Sequence, residues 1–105
     1  MEKEYIETVS VNEKGILCIK PQSRSFDMIY RSAMGVHWDK DEGCLIHNPP
    51  DKWGVFQWYQ QIIKAVKDEY GVELRLLEET RFENLKEEDI ARIKLSEFTA
   101  NHFEV

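Results

Sequence analysis

Apolar and polar residues alternate from the start of the chain. Residues 5–11, Tyr-Ile-Glu-Thr-Val-Ser-Val, and residues 16–20, Ile-Leu-Cys-Ile-Lys, flank the loop Asn12-Glu13-Lys14-Gly15. Two β-branched runs around a short loop ending in Gly predict a hairpin. Gly15 suits the positive-φ position of a bulged turn. Pro21 lacks the N–H that a ladder needs and is expected to end the second strand. After the polar connection Gln22-Ser23-Arg24-Ser25, Phe26, Met28 and Tyr30 alternate with Asp27, Ile29 and Arg31, which predicts a further strand. Val36 and Trp38 alternate with His37 and Asp39, and the turn Asp39–Gly43 leads into Cys44-Leu45-Ile46-His47, a second hairpin. Pairing symmetric about Asp41 would set Trp38 opposite Cys44 and Val36 opposite Ile46. A slip of one residue would exchange the faces.

The period then changes. Asn48-Pro49-Pro50-Asp51 forms a stiff turn, and Asp51 can cap a helix beginning near Lys52. Trp53, Phe56, Tyr59, Ile63, Val66 and Tyr70 recur every three or four residues, and Val55 and Ile62 widen the stripe. Gln57, Gln60, Gln61, Lys64, Lys67 and Asp68 take the other side. Gly71 is placed to end the helix in a left-handed conformation. Val72, Leu74 and Leu76 alternate again, as a strand. Asn84 and Glu87 fit a variant of the capping box that opens a shorter helix carrying Ile90 and Ile93, with fraying expected over residues 101–105. The elements add up to an α+β fold. It is a two-layer sandwich: an antiparallel sheet of about five strands, one long amphipathic helix packed on a face and a short C-terminal helix.

Composition narrows this picture. The 105 residues form one domain, 1–105, and the 42% hydrophobic share is enough for a single core. The net charge of −6, with Lys and Arg dispersed, opposes nucleic-acid binding. No apolar run approaches the ~18 residues of a membrane helix, and the start Met1-Glu2-Lys3-Glu4 is unlike a secretory signal, so no membrane association and a cytoplasmic location are expected. Cys18 and Cys44 are too few for a disulfide framework and are expected to act as small hydrophobes.

The densest polar cluster is His37, Asp39, Asp41, Glu42, Cys44 and His47. Cys44 and His47 are three apart in a strand and therefore point to opposite faces, so no metal site is expected there. Asp39-x-Asp41-x-Gly43 departs from a calcium loop, with Gly fifth and Pro50 at the twelfth position. A Cys–His nucleophile from Cys44 with His37 or His47 lacks any sign of an activated thiol. There is no phosphate-binding Gly loop and no G-x-S-x-G, so no catalytic residue and no cofactor is assigned.

Aromatic side chains give the stronger signal. Trp38, Trp53, Phe56, Trp58 and Tyr59 fall within a short span. Trp58 lies about 100° from Tyr59, toward the Gln57/Gln61 side of the helix. It is either a rim residue of the core or an exposed anchor for a partner or flat ligand. Tyr30, Arg31 and His37 could add polar groups between sheet and helix. The candidate binding residues are thus Tyr30, Arg31, His37, Trp38, Trp53 and Trp58.

The strand-rich half followed by Lys52-Trp53-Gly54-Val55-Phe56-Gln57-Trp58-Tyr59 resembles the small α+β proteins of mobile bacterial gene cassettes. That resemblance implies the fold and little chemistry, and it assigns no residue a role. The resulting expectation is a non-catalytic binding or interaction protein that self-associates as a dimer. Alternatives are a binder of a small apolar ligand, or a minor enzyme, with a pocket near Trp38, His37 and Trp58, and an antitoxin- or immunity-like protein steered to a basic partner by its acidic charge.

Overall fold

The first hairpin forms where the alternation places it. In the computed structural model, which describes residues 2–32, 34–48 and 53–103 with side chains as far as Glu97, β1 (Glu2–Val11) pairs antiparallel with β2 (Leu17–Pro21). Asn12 Oδ1 accepts the N–H groups of Lys14 (2.9 Å) and Ile16 (3.0 Å), and Gly15 takes φ 78°. The loop thereby satisfies its own donors, and the ladder runs on to Pro21.

The predicted strand over Phe26–Tyr30 does not form. Residues Ile29–Ser32 make a 3-10 turn instead. Phe26 and Ile29 are fully buried, while Met28 and Tyr30 are exposed. The buried pair is three residues apart, the repeat of a 3-10 turn, so core packing overrides the alternation. Phe26 meets Trp38 and Tyr70 edge-on, at ring-centroid distances of 5.9 and 5.0 Å. Tyr70 Oη accepts the Met28 N–H at 2.8 Å.

The second hairpin joins β3 (Val36–Asp39) to β4 (Cys44–His47), with a register one residue away from the expected one. Trp38 lies opposite Leu45, Val36 opposite His47, and Asp39 opposite Cys44. The reason is the turn. Asp39 Oδ1 accepts the N–H groups of Asp41 and Glu42, Gly43 N–H reaches Asp39 O at 2.8 Å, and Gly43 takes φ 67°. This arrangement closes a four-residue loop rather than a five-residue one. Trp38 and Leu45 then face the core together, and Cys44 turns to the other side of the sheet.

Helix α1 (Val55–Tyr70) lies on one face of the sheet. The proposed cap Asp51 and its Pro-Pro turn fall outside the described residues. Within them, Gly54 precedes the helix, and its N–H is accepted by Gln57 Oε1 at 2.9 Å. Trp58, Tyr59, Ile62, Ala65 and Val66 are buried, so the inward stripe is centred nearer Ile62 than the Trp53–Tyr70 spacing suggests. Phe56, Ile63 and Tyr70 are half-buried at its margin. Gly71, at φ 66°, ends the helix as expected.

β5 (Val72–Glu83) runs parallel to β1, so the sheet is mixed, with strand order β3-β4-β2-β1-β5. A helix of sixteen residues spans about 24 Å and carries the chain back to the end of the sheet where β1 begins. Only a parallel partner can form there. The pairing jumps from Ile6↔Leu76 to Thr8↔Arg81. Thr80 Oγ1 stitches the excess residues of β5 down, accepting Leu77 N–H at 2.8 Å and donating to Ile6 O at 2.6 Å. Asn84 does not cap α2 (Glu87–Phe103). It takes φ 60° at the end of β5, and its amide donates to Val11 O.

Candidate functional site

α1 covers one face of the sheet and leaves the other open. On the covered side Ile6, Val9, Leu17, Ile19, Val36 and Leu45 meet Ile62, Ala65 and Val66. On the open side the strands form a shallow concavity of about 570 Å³. Cys18, Cys44, Ile16 and Ile46 make its less polar floor, and Glu7, Lys20, Asp39, Glu42, Arg81 and Glu83 stand around them. Glu7 sits between two cations, Lys20 Nζ at 3.7 Å and Arg81 at 3.6 Å.

The floor holds an unusual pair. Cys18 and Cys44 are both free and come from neighbouring strands, and the Cys18 thiol donates to Ile16 O at 3.6 Å. The neighbouring Cys44 side chain lowers the Cys18 thiol pKa, against burial and the negative charges of Asp39 and Glu42. The same contact pushes the Cys44 thiol up, with burial and those charges adding to it. Strand patterning treats the two cysteines as separate small hydrophobes, and the expected β3–β4 register puts Cys44 on the side of Trp38. The one sign available in the sequence is that Cys18 lies between Leu17 and Ile19, so it must face away from them.

The aromatic residues singled out in the sequence are spread along the helical layer. Trp58 is a core residue, 7% exposed. Its ring lies flat on His47, with centroids 4.3 Å apart and planes within 4°, and its edge lies against Gly35. Trp58 Nε1 is buried with no hydrogen-bond partner among the described residues. His47 is held in one tautomer. Its Nε2 accepts the Leu17 N–H at 2.9 Å, so Nδ1 carries the proton and donates to Asn48 O. A backbone N–H can only donate, so this imidazole is neutral. Trp53 leans on Trp58 at 4.7 Å and keeps 40% of its surface exposed. His37, on the outer edge strand, is exposed and bonded to Asn48 Oδ1. Trp38 is half-buried against Phe26.

Tyr30 and Arg31 occupy the 3-10 turn, which runs beside α1 in the opposite direction. Its path is marked by Met28 N–H on Tyr70 Oη, Arg31 on Glu69 (3.7 Å) and Gln61 Nε2 on Met34 O (3.1 Å). Tyr30 is 59% exposed on this flank. Trp58, Trp53 and His47 thus form one aromatic group, with His47 stacked and Trp53 tilted on Trp58, that His37 joins through Asn48, while Tyr30 and Arg31 stand apart, toward the other end of α1.

Two further polar groups are built for position. Glu4 is buried and accepts the N–H groups of Ser23 (2.7 Å) and Arg24 (2.9 Å) and the Ser23 hydroxyl. Burial alone would push its carboxyl pKa up, but these donors and the Arg24 charge hold it below the ordinary value. Arg75 is buried between Glu73 and Glu97, and Glu97 also accepts the Leu76 N–H. Glu97 thereby seals the outer edge of β5 and ties α2 to it. The Tyr59 hydroxyl has its pKa pushed up, first by burial and then by the Glu97 charge.

Among the described residues, no three His, Cys, Asp or Glu side chains converge on a metal position, and no helix is long and apolar enough to cross a membrane. No curated protein matches the chain. Residues 4–80, from β1 through the irregularity of β5, match the model of the family described as Integron Cassette Protein Hfx_Cass5. A solved structure from the mobile metagenome of North West Arm Sewage Outfall, the integron cassette protein Hfx_Cass5, is 32% identical, with a TM-score of 0.48. The match covers 89% of this chain and 93% of that one. The strand-rich half and the aromatic start of α1 both fall within the matched span, and the chain belongs to the Hfx_Cass5 integron cassette protein family.

Proposed function

We propose that this protein is a non-catalytic binding module that self-associates through the apolar part of its helical layer. The observation that carries this reading is the distribution of exposed apolar side chains. Of the five exposed large apolar side chains among the described residues, Met28, Tyr30, Trp53 and Leu95 sit on the helical layer or its flank, with Leu95 63% exposed on α2, and Tyr5 on β1 is the exception. Phe56 and Leu95 line a shallow groove beside Arg92 and Ser96. Exposed apolar side chains of this kind, with Tyr, Trp and Arg among them, suit anchor positions in a symmetric protein contact.

Light scattering across a wide concentration range tests this. A dimer is expected, converted to monomer by Leu95→Glu combined with Tyr30→Glu. A strict monomer at the highest concentration removes the reading. Salt separates it from the antitoxin-like alternative. Two copies each carrying −6 repel, so added salt should tighten self-association, whereas capture of a basic partner should weaken.

A second reading is favoured by the open-face concavity, whose volume falls in the range of small-ligand sites. A metabolite screen would then raise the melting temperature. The rise should vanish with Ile46→Glu and survive Tyr30→Glu.

A further inference from the structure

We propose that Cys18 and Cys44 form a two-thiolate site for a soft, thiophilic d10 metal ion, bound between β2 and β4 on the floor of the open-face concavity. This site is independent of the self-association surface.

The backbone register makes the pair. Ile19 lies opposite Leu45 across the antiparallel β2–β4 ladder, and both are buried under α1. Cys18 and Cys44 each precede one of these residues, so both point to the open face and both line its concavity. They are diagonal neighbours rather than direct partners. Such pairs have Cα atoms about 7–8 Å apart, beyond the ~7 Å span that a disulfide bridges without backbone movement. A metal ion inserted between the sulfurs relieves that constraint. With metal–thiolate bonds of about 2.3 Å, a two-coordinate ion holds its sulfurs roughly 4–5 Å apart.

Ligand number selects the ion. The described residues offer no third convergent ligand, which disfavours zinc with its four. Two thiolates suit soft ions such as Cu(I). The surroundings help. Asp39 and Glu42 line the same concavity and place negative charge beside the thiols, which favours an incoming cation, and the concavity is open to solvent on the side the thiols face. Entry of Cu(I) replaces two S–H bonds by two Cu–S bonds, releases up to two protons to solvent and changes no oxidation state.

The test is an anaerobic titration of the full chain with Cu(I) against a chromogenic Cu(I) chelator, with native mass spectrometry for stoichiometry. One Cu(I) per chain is expected. Cys18→Ser and Cys44→Ser should each weaken binding by roughly 10²-fold or more, the gain in effective concentration when two ligands share one scaffold. Should the buried Cys44→Ser variant fail to fold, alkylating the more accessible Cys18 in the native protein should give the same loss. Retention of affinity within about threefold in the Cys18→Ser variant, two ions bound independently per chain, or tight one-to-one binding of Zn(II) would each overturn the assignment.

Discussion

The two faces of the sheet are made from the same strands and differ in what covers them. On β4, Leu45 and His47 lie under α1, whereas Cys44 and Ile46 look out from the opposite side. On β2 the same alternation separates Leu17 and Ile19 from Cys18 and Lys20. The covered face contains aliphatic side chains with almost no exposed area, and its one buried imidazole has both nitrogens engaged. The open face keeps paired charges, two free thiols and a concavity. Burial on the first face supplies the folding energy. The second face has no helical layer packed on it, so charged groups such as Glu7 and Lys20 stay hydrated there and the face can carry polar chemistry, although Cys44 is itself buried in its floor.

The comparison can be broken at several points. The largest effect is expected at the β5 edge, where Glu97 joins Arg75 and the Leu76 N–H. Glu97→Ala leaves a buried guanidinium short of a partner and should lower stability by ~3–5 kcal/mol in urea unfolding. A cost below ~1 kcal/mol would show that α2 is not held to the sheet by this contact. Next comes the contrast of adjacent residues on β4. Leu45→Ala should cost ~2–5 kcal/mol, and Ile46→Ala, on the open face, clearly less. Equal costs would mean that the open face is covered in solution, as a partner seated on the concavity would do.

Glu4 gives a smaller effect with a pH signature. Glu4→Gln should cost ~1–3 kcal/mol at neutral pH, because the Ser23 and Arg24 N–H groups lose a charged acceptor. The folded carboxyl has its pKa lowered, so its contribution is fully present above the ordinary carboxylate value and fades as pH falls through the folded one. The wild type should therefore lose more stability on acidification than the variant does, and parallel pH profiles would dissociate Glu4 from that loss. Last, Gly71→Ala should cost ~1–2 kcal/mol. A Cβ there meets nothing within 4 Å, so the cost comes from φ 66° alone.

Elements that are decided locally were legible in the sequence. The Asn12–Gly15 hairpin needs only β-branched runs and a turn whose donors Asn12 satisfies. The Gly71 stop and the amphipathic α1 follow from spacing and one permissive residue. The failures share a different cause. Phe26–Tyr30 alternates like a strand, yet Phe26 and Ile29 reach the core only in a 3-10 turn, because Trp38 and Tyr70 form the pocket that Phe26 fills. Asn84 has the residue types of a capping box, but its side chain is drawn to Val11, which lies far away in the sequence. Trp58 could be placed on a helix but not on a side of the core, since the sheet, Gly35 and His47 settle that.

The sequence by itself determined an α+β sandwich with a long helix over a hairpin-built sheet, because hydrophobic period and turn chemistry act over a few neighbouring residues. Only the tertiary structure decided that β5 pairs parallel with β1, that the second hairpin closes one residue away from symmetry, and that Cys18 and Cys44 share the open face. Strand order and register depend on contacts between residues far apart in the chain. A shift of a single position there exchanges the inward set of side chains for the outward one.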